Sequence, residues 1–281
     1  MKREKIKVQK LIKMAYQETR RSSLAIYIIL RFLVILCMIL QLLRGDLNNA
    51  LLCLLSLVLL FAPLFIQNKF EITLPDGLEI AIYLFIFSAE ILGEINNFYG
   101  ILPHWDTMLH TINGFLATAV GCSLVDLLNK NSKSIKLSPF YLCLVAFCFS
   151  MTIGVLWEFF EYAGDKFFNL DMQKDTIIQK ISSVELNPDG ENKTILVKDI
   201  DKTIIYDKEG NILQVIENGY LDIGINDTMK DLFVNFIGAI VFSTLAFFGL
   251  KYNKNNSFIN KFIPKKEKRK LANSVRDSIY N

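Results

Sequence analysis

LAIYIILRFLVILCMILQLLR, residues 24–44, decides the fold class: twenty-one residues with one internal charge, Arg31. Wound as a helix rising about 1.5 Å per residue, this run reaches about 31 Å, enough to cross the hydrocarbon core of a bilayer. Comparable Leu/Ile/Phe-rich runs follow at 47–67, 78–98, 106–128, 138–162 and 229–250, so six spans are expected. Hydrophobic residues make up 52% of the chain and the mean hydropathy is +0.33, values that place it among integral membrane proteins. The first run does not read as a cleavable leader, because the charged region before it is too long and no small-residue cleavage site follows. The expected class is an all-α polytopic membrane protein with about six transmembrane helices and a small extracytoplasmic β-rich insert.

Charge sets the orientation, since cytoplasmic loops retain Lys and Arg. Residues 1–22 carry Lys2, Arg3, Lys5, Lys7, Lys10, Lys13, Arg20 and Arg21 and are expected inside, as a basic amphipathic helix on the inner leaflet. Spans one to five then occupy 23–162, the insert 163–228 and span six 229–250, and the basic tail 251–281 returns to the cytoplasm. Loops 45–49 and 99–105 lack Lys and Arg and fit the outside; so does the insert, with seven Lys against thirteen Asp and Glu. The chain is thus expected in a bacterial cytoplasmic membrane, multi-pass, with both termini inside. A net charge of only +3 argues against a nucleic-acid partner, and the partner implied throughout is the lipid bilayer. Cys37, Cys53, Cys122, Cys143 and Cys148 all fall within spans without C-x-x-C spacing, which favours packing over a disulfide framework or zinc knuckle.

Against this apolar background, seven carboxylates, one histidine and one asparagine collect at the same end of four spans. Span three ends with Glu90 and Glu94, four residues apart on one helix face. Asp106 and His110 have the same spacing where span four begins, and Gly114 continues their face. Glu158 and Glu161 close span five beside Trp157, and Asp227, Asp231 and Asn235 stand at successive i, i+4 steps where span six enters. A charge within a lipid-facing helix costs about 2.5–3.5 kcal/mol on insertion scales, so this many at one depth suggests use. Simpler readings compete: carboxylates at span ends are often only solvated, Asp106 and Asp227 near helix N-termini gain from the helix dipole, and Asn235 suits an interhelical hydrogen bond.

Carboxylates and one imidazole on facing helices form the donor set that helical bundles use for divalent metals. Glu94, Asp106, His110, Glu158, Glu161, Asp227 and Asp231 are the candidate ligands, with Glu90 and Asn235 as further polar groups; a divalent metal is the candidate cofactor. One histidine among oxygens suits Mn²⁺, Fe²⁺ or Zn²⁺, and an all-oxygen subset suits Mg²⁺ or Ca²⁺. Without metal, crowded carboxylates repel and some hold protons, which makes Asp106, His110, Glu158 and Asp231 candidate catalytic proton carriers. No nucleophile elbow, phosphate-cradling glycine loop or H-E-x-x-H occurs.

The stretches FYGILPHWDTMLHTINGF (98–115), WEFFEYAGD (157–165), DMQKD (171–175) and GYLDIGINDTMKDLFVNFIG (219–238) resemble the signatures of a family of uncharacterised bacterial integral membrane proteins, the YjdF-like group. The D-x-x-x-H opening is similar to that of VanZ-like proteins. The resemblance covers roughly residues 75–250 and marks Asp106, His110, Gly114, Trp157, Glu158, Glu161, Asp227 and Asp231. VanZ-like relatives are associated with glycopeptide-antibiotic tolerance and the cell envelope, which implies an envelope role; this chain departs from them in its longer insert and extra polar residues.

Within the insert, β-branched runs at 194–197, 203–206 and 212–216 suggest strands, and DKEGN (207–211) a hairpin turn, together a small β-meander resting on the spans as a lid. Asp171 and Asp175 read as surface residues or as an extension of the site. Arg31 is expected to snorkel or meet lipid phosphate. Three functions follow in order: an envelope enzyme or binding protein acting on a lipid or cell-wall precursor headgroup, an ion- or proton-coupled transporter, and a structural or regulatory partner of envelope proteins. The transporter ranks below the first because the spans turn apolar toward their inner ends.

Overall fold

A computed structural model describes residues 2–70, 72–131, 136–252 and 265–266, with side chains described for 23–69, 73–129 and 136–252. The first helix, α1, runs Lys2–Arg44 without a break, so the expected surface helix and the first span are one element. Nothing between Lys2 and Arg44 interrupts it, because neither Gly nor Pro occurs there. Gly45 ends it in the left-handed region at φ 77°, and Asp46 N–H donates back to the Gln41 carbonyl at 3.0 Å. Asp46 then caps α2, Leu47–Leu59, accepting from Asn49 N–H at 3.0 Å. Pro63 lacks an N–H and its ring opposes the carbonyl four residues back, which accounts for the break before α3, Ala62–Phe70.

The third expected span is compound. It is α4, Asp76–Phe87, continued as a π-helix over Ser88–Ile95, after which Asn97 at φ 56° starts the single turn α5, Phe98–Ile101. Three long helices complete the set: α6 Trp105–Asn131, α7 Pro139–Phe168 and α8 Ile225–Tyr252. Among the described residues five stretches are long and apolar enough to cross a membrane, Ser23–Arg44, Leu47–Lys69, Trp105–Asn129, Pro139–Phe168 and Ile225–Tyr252. The fold is therefore that of a mostly helical polytopic membrane protein. The compound third segment falls outside those five because a π-turn divides it; its twenty residues would extend about 30 Å at the α-helical rise.

The chain divides into two compact units, Met1–Gly154 with Val234–Asn281, and Val155–Phe233. In the first unit, one apolar cluster joins Leu74 and Leu78 to Leu116, Ala119 and Cys122 of α6, Leu142 and Ala146 of α7, and Phe242 and Ala246 of α8. A second joins Leu30 and Val34 of α1 to Cys53, Leu60, Tyr83, Ile86 and Ile91. Arg31, half-buried, donates to Tyr27 Oη, and its guanidinium lies 4.1 Å from the centroid of the Phe61 ring. A short antiparallel bridge in this unit pairs β1 Ile72–Thr73 with β8 Lys265–Lys266; most of the expected cytoplasmic tail lies outside the described residues.

The second unit corrects one expectation. Its strands do not form a meander but three separate antiparallel pairs: β2 Ile177–Ile178 with β7 Tyr220–Leu221, β3 Lys180–Ser183 with β4 Ile195–Lys198, and β5 Lys202–Tyr206 with β6 Ile212–Glu217. The reason lies between β4 and β5, where Asp199 at φ 58° redirects the chain and Ile200 N–H bonds the Gln179 carbonyl instead of extending β4 into its successor. The DKEGN turn forms as expected, with Gly210 at φ 86° and Asn211 N–H donating to Asp207 Oδ1 at 2.7 Å.

Candidate functional site

At the head of α6, one helical turn separates Asp106 from His110, and His110 Nε2 lies 3.3 Å from Asp106 Oδ1. His110 is buried, while the Asp106 side chain stays partly open. A carboxylate at this distance orients the imidazole ring.

One turn further along α6 the helices close up. Asn235 of α8, 1% exposed, accepts from Asn113 Nδ2 at 3.1 Å, and Ser150 of α7 donates to the Gly114 carbonyl at 2.9 Å. A Cβ on Gly114 would stand 2.8 Å from the Asn235 carbonyl carbon, and one on Gly154 would stand 2.7 Å from Asn235 Nδ2. Gly238 makes the reciprocal approach, its Cβ position lying 3.0 Å from Phe115 N. Glycines here let three backbones meet around one amide, as small residues do at membrane helix contacts.

The π-helix carries Glu90, 3% exposed, and the less buried Glu94. Wide π-turns recur at functional sites.

In the second unit, Glu158 and Glu161 are both buried on α7, and Trp157 Nε1 donates to Glu161 Oε1 at 2.7 Å. On α8, Lys230 Nζ lies 3.1 Å from Asp227 Oδ1 and 3.7 Å from Asp231 Oδ1, with Asp231 1% exposed. Asp227 also accepts the Lys174 N–H at 2.9 Å. It is one of three carboxylates that hold the DMQKD strap: Asp165 takes the N–H groups of Met172 at 2.6 Å and Gln173 at 2.9 Å, and Asp222 takes that of Thr176 at 2.7 Å. Burial pushes Asp222 up, but N–H donors from Thr176, Asn226 and Gly224 and the Asn226 amide outweigh it and hold the carboxyl below its ordinary range. Asp175 moves the other way, pushed up by burial and then by Asp171, Asp222 and Asp165, with Lys174 opposing. Asp171 and Asp175 are exposed.

The structure thus pairs Asp106 with His110 and seats Asn235 among α6 and α7 in one unit, and gathers Asp227 and Asp231 around Lys230 in the other. Four participants escape a search for carboxylates at span ends. Lys230 stands between two of them in the sequence, Asn113 follows His110 by three residues, and Asp165 and Asp222 lie near the two ends of the insert.

A curated relative from Thermotoga maritima, bearing the printed name "Uncharacterized protein", is 27% identical over 106 residues, 38% of this chain. The chain spans about half the length of that relative, 53%. No solved structure matches. Residues 24–252 match the family described as "Predicted membrane protein (DUF2238)", a stretch that takes in every span and the insert, and the chain belongs to that family.

Proposed function

We propose that the protein holds a divalent cation with Asp106, His110 and Asp231, with Glu158 beside them, and through it binds and acts on the phosphorylated headgroup of a lipid or cell-wall precursor at the outer membrane surface. The observation that carries this reading is the junction of Gly114, Asn235 and Gly154. Contacts such as Phe115 with Phe242 indicate that α6 and α8 run the same way, and a short connection makes α7 their antiparallel neighbour. From that junction, one turn toward a common end along each uninterrupted helix leads to His110 on α6, Asp231 on α8 and Glu158 on α7. One imidazole nitrogen with two or three carboxylate oxygens suits Mn²⁺, Fe²⁺ or Zn²⁺.

A bound cation would neutralise headgroup phosphate and polarise its oxygens. The chain's own groups supply the rest. Asp106 orients His110 for proton transfer, Lys230 adds a positive charge beside Asp227 and Asp231, and the Trp157 donor holds Glu161. Asp227, occupied with Lys174 N–H and Lys230, serves the strap and the charge balance of the entrance in this reading. The likeness of the D-x-x-x-H opening, Asp106 to His110, to that of VanZ-like proteins agrees with an envelope role, and the Lys/Arg distribution supports cytoplasmic termini with an exoplasmic insert.

Elemental analysis of detergent-purified wild type against His110→Ala and Glu158→Ala tests the reading. Near-stoichiometric divalent metal in wild type, lost from His110→Ala, is expected; metal-free wild type that takes none up on re-addition overturns it. A cysteine placed at Gly190 should label from outside the cell, and labelling only from the cytoplasm would reverse the topology.

A second reading, an ion-coupled carrier, draws support from Thr118, Ser123 and Asp126, which extend buried polar groups along α6 past the expected apolar limit. Flux into proteoliposomes that stops in Asp106→Asn would favour it. The third reading, a regulatory partner of envelope proteins, rests on the acidic insert alone.

A further inference from the structure

We propose that Glu90 and Glu94 form a second, separate site, one for a monovalent cation, H⁺ or Na⁺, inside the π-helix of the third span. Glu90 is 3% exposed, and its Oε2 has no hydrogen-bond partner among the described residues. Its chain neighbours Ala89 and Ile91 are buried apolar groups. An ionised carboxylate in such surroundings costs several kcal/mol unless a positive charge meets it. Among the described residues no Lys or Arg does so, and Glu94 adds repulsion.

The elements packed against the π-helix bring few other titratable groups. Among the described side chains these are Cys53 on α2, Asp76, Glu79 and Tyr83 on α4, Tyr99 on α5, and Asp106, His110, Cys122 and Asp126 on α6. Of the α4 groups, Tyr83 already donates to Glu79 at 2.8 Å. A small cation shared between Glu90 and the more open Glu94 answers the uncompensated oxygen, and Glu94 would be the point of exchange with water. The π-turn itself spreads the backbone where the two carboxylates stand, and Asn96 closes it by donating its N–H at 3.1 Å and its Nδ2 at 2.6 Å to the Ile91 carbonyl.

The test uses the whole protein in detergent and needs no variant for its main readout. Dicyclohexylcarbodiimide partitions into apolar surroundings and reacts with a protonated carboxyl, and the adduct is mapped by mass spectrometry of peptides covering 76–98. Two arms are run at neutral pH, in sodium-free choline buffer and in a NaCl titration. An adduct on Glu90 that sodium does not suppress identifies the proton as occupant. An adduct that falls about elevenfold when Na⁺ reaches about ten times its Kd identifies sodium. Absence of an adduct on Glu90 in sodium-free buffer, in monodisperse protein, overturns the proposal. Glu94→Gln should leave the adduct on Glu90 but slow its reversal of protection when sodium is removed; unchanged exchange would refute Glu94 as the port. Neither arm depends on divalent metal, so failure here and failure of the Asp106/His110/Asp231 reading are separate results.

Discussion

Gly114→Ala is the sharpest perturbation of the three-helix junction. The added methyl would stand 2.8 Å from the Asn235 carbonyl carbon and 3.1 Å from Ala239 N, where ordinary carbon contacts lie at about 3.5–4.0 Å. Both atoms are backbone, so no side chain can swing aside and α8 must move by about 1 Å. Overpacking of this kind costs about 1–3 kcal/mol and occasionally more. The better helix propensity of alanine returns about 1 kcal/mol. A backbone clash falls at or above the top of the overpacking range, so the net loss should be about 2 kcal/mol, on the order of 4–8 °C in Tm for a chain of this size. Gly77→Ala is the matched control, since nothing lies within 4 Å of its Cβ position. A thiol-reactive dye reads the transition as Cys53, Cys122 and Cys143, all buried, become accessible. Equal melting of Gly114→Ala and Gly77→Ala would refute the close approach, and with it the geometric support for a shared site.

Two further predictions concern the second unit. Trp157→Phe keeps an aromatic ring and removes the indole N–H from the buried Glu161, a bond 2.7 Å long; leaving that acceptor without its donor should cost about 1–3 kcal/mol in detergent melts, and an unchanged melt would mean Glu161 does not rely on that donor. For the strap, Asp222 is held below its unfolded value, so its stabilisation is complete above about pH 4 and is lost as the pH falls through the lower folded value. Asp175, pushed up, has the opposite sign: its ionised form opposes folding and that penalty is relieved first as the pH drops. The protection factors of the Thr176 and Asn226 amides, measured against intrinsic exchange at each pH, should therefore hold or rise slightly before falling at the acid end, and Asp222→Asn should lower them already at neutral pH.

How much of this was legible beforehand depends on what each residue needs. Spans such as 24–44 declare themselves through length and apolarity alone, and the helix edges at Gly45 and Asp46 follow from local chemistry. The DKEGN hairpin is equally local. The π-helix is not, because Glu90 and Glu94 four residues apart look the same in an α-turn and a π-turn. The strand partners of the insert depend on the backbone turn at Asp199, which no side-chain pattern announces. The protein partners of Arg31, Tyr27 and Phe61, are not legible either, because both are unremarkable apolar-span residues in the sequence. For Asp227 the sequence shows only a position among carboxylates, and the fold adds its contacts with the Lys174 N–H and Lys230.

The central claim is that His110 and carboxylates from neighbouring helices hold one divalent cation. Electron spin-echo envelope modulation of Mn²⁺-loaded protein tests it directly, because the sequence has only two histidines, His104 and His110. The account predicts modulation from a single directly bound imidazole nitrogen that persists in His104→Ala and vanishes in His110→Ala. Bound Mn²⁺ showing no nitrogen modulation, or modulation that survives His110→Ala, would contradict it.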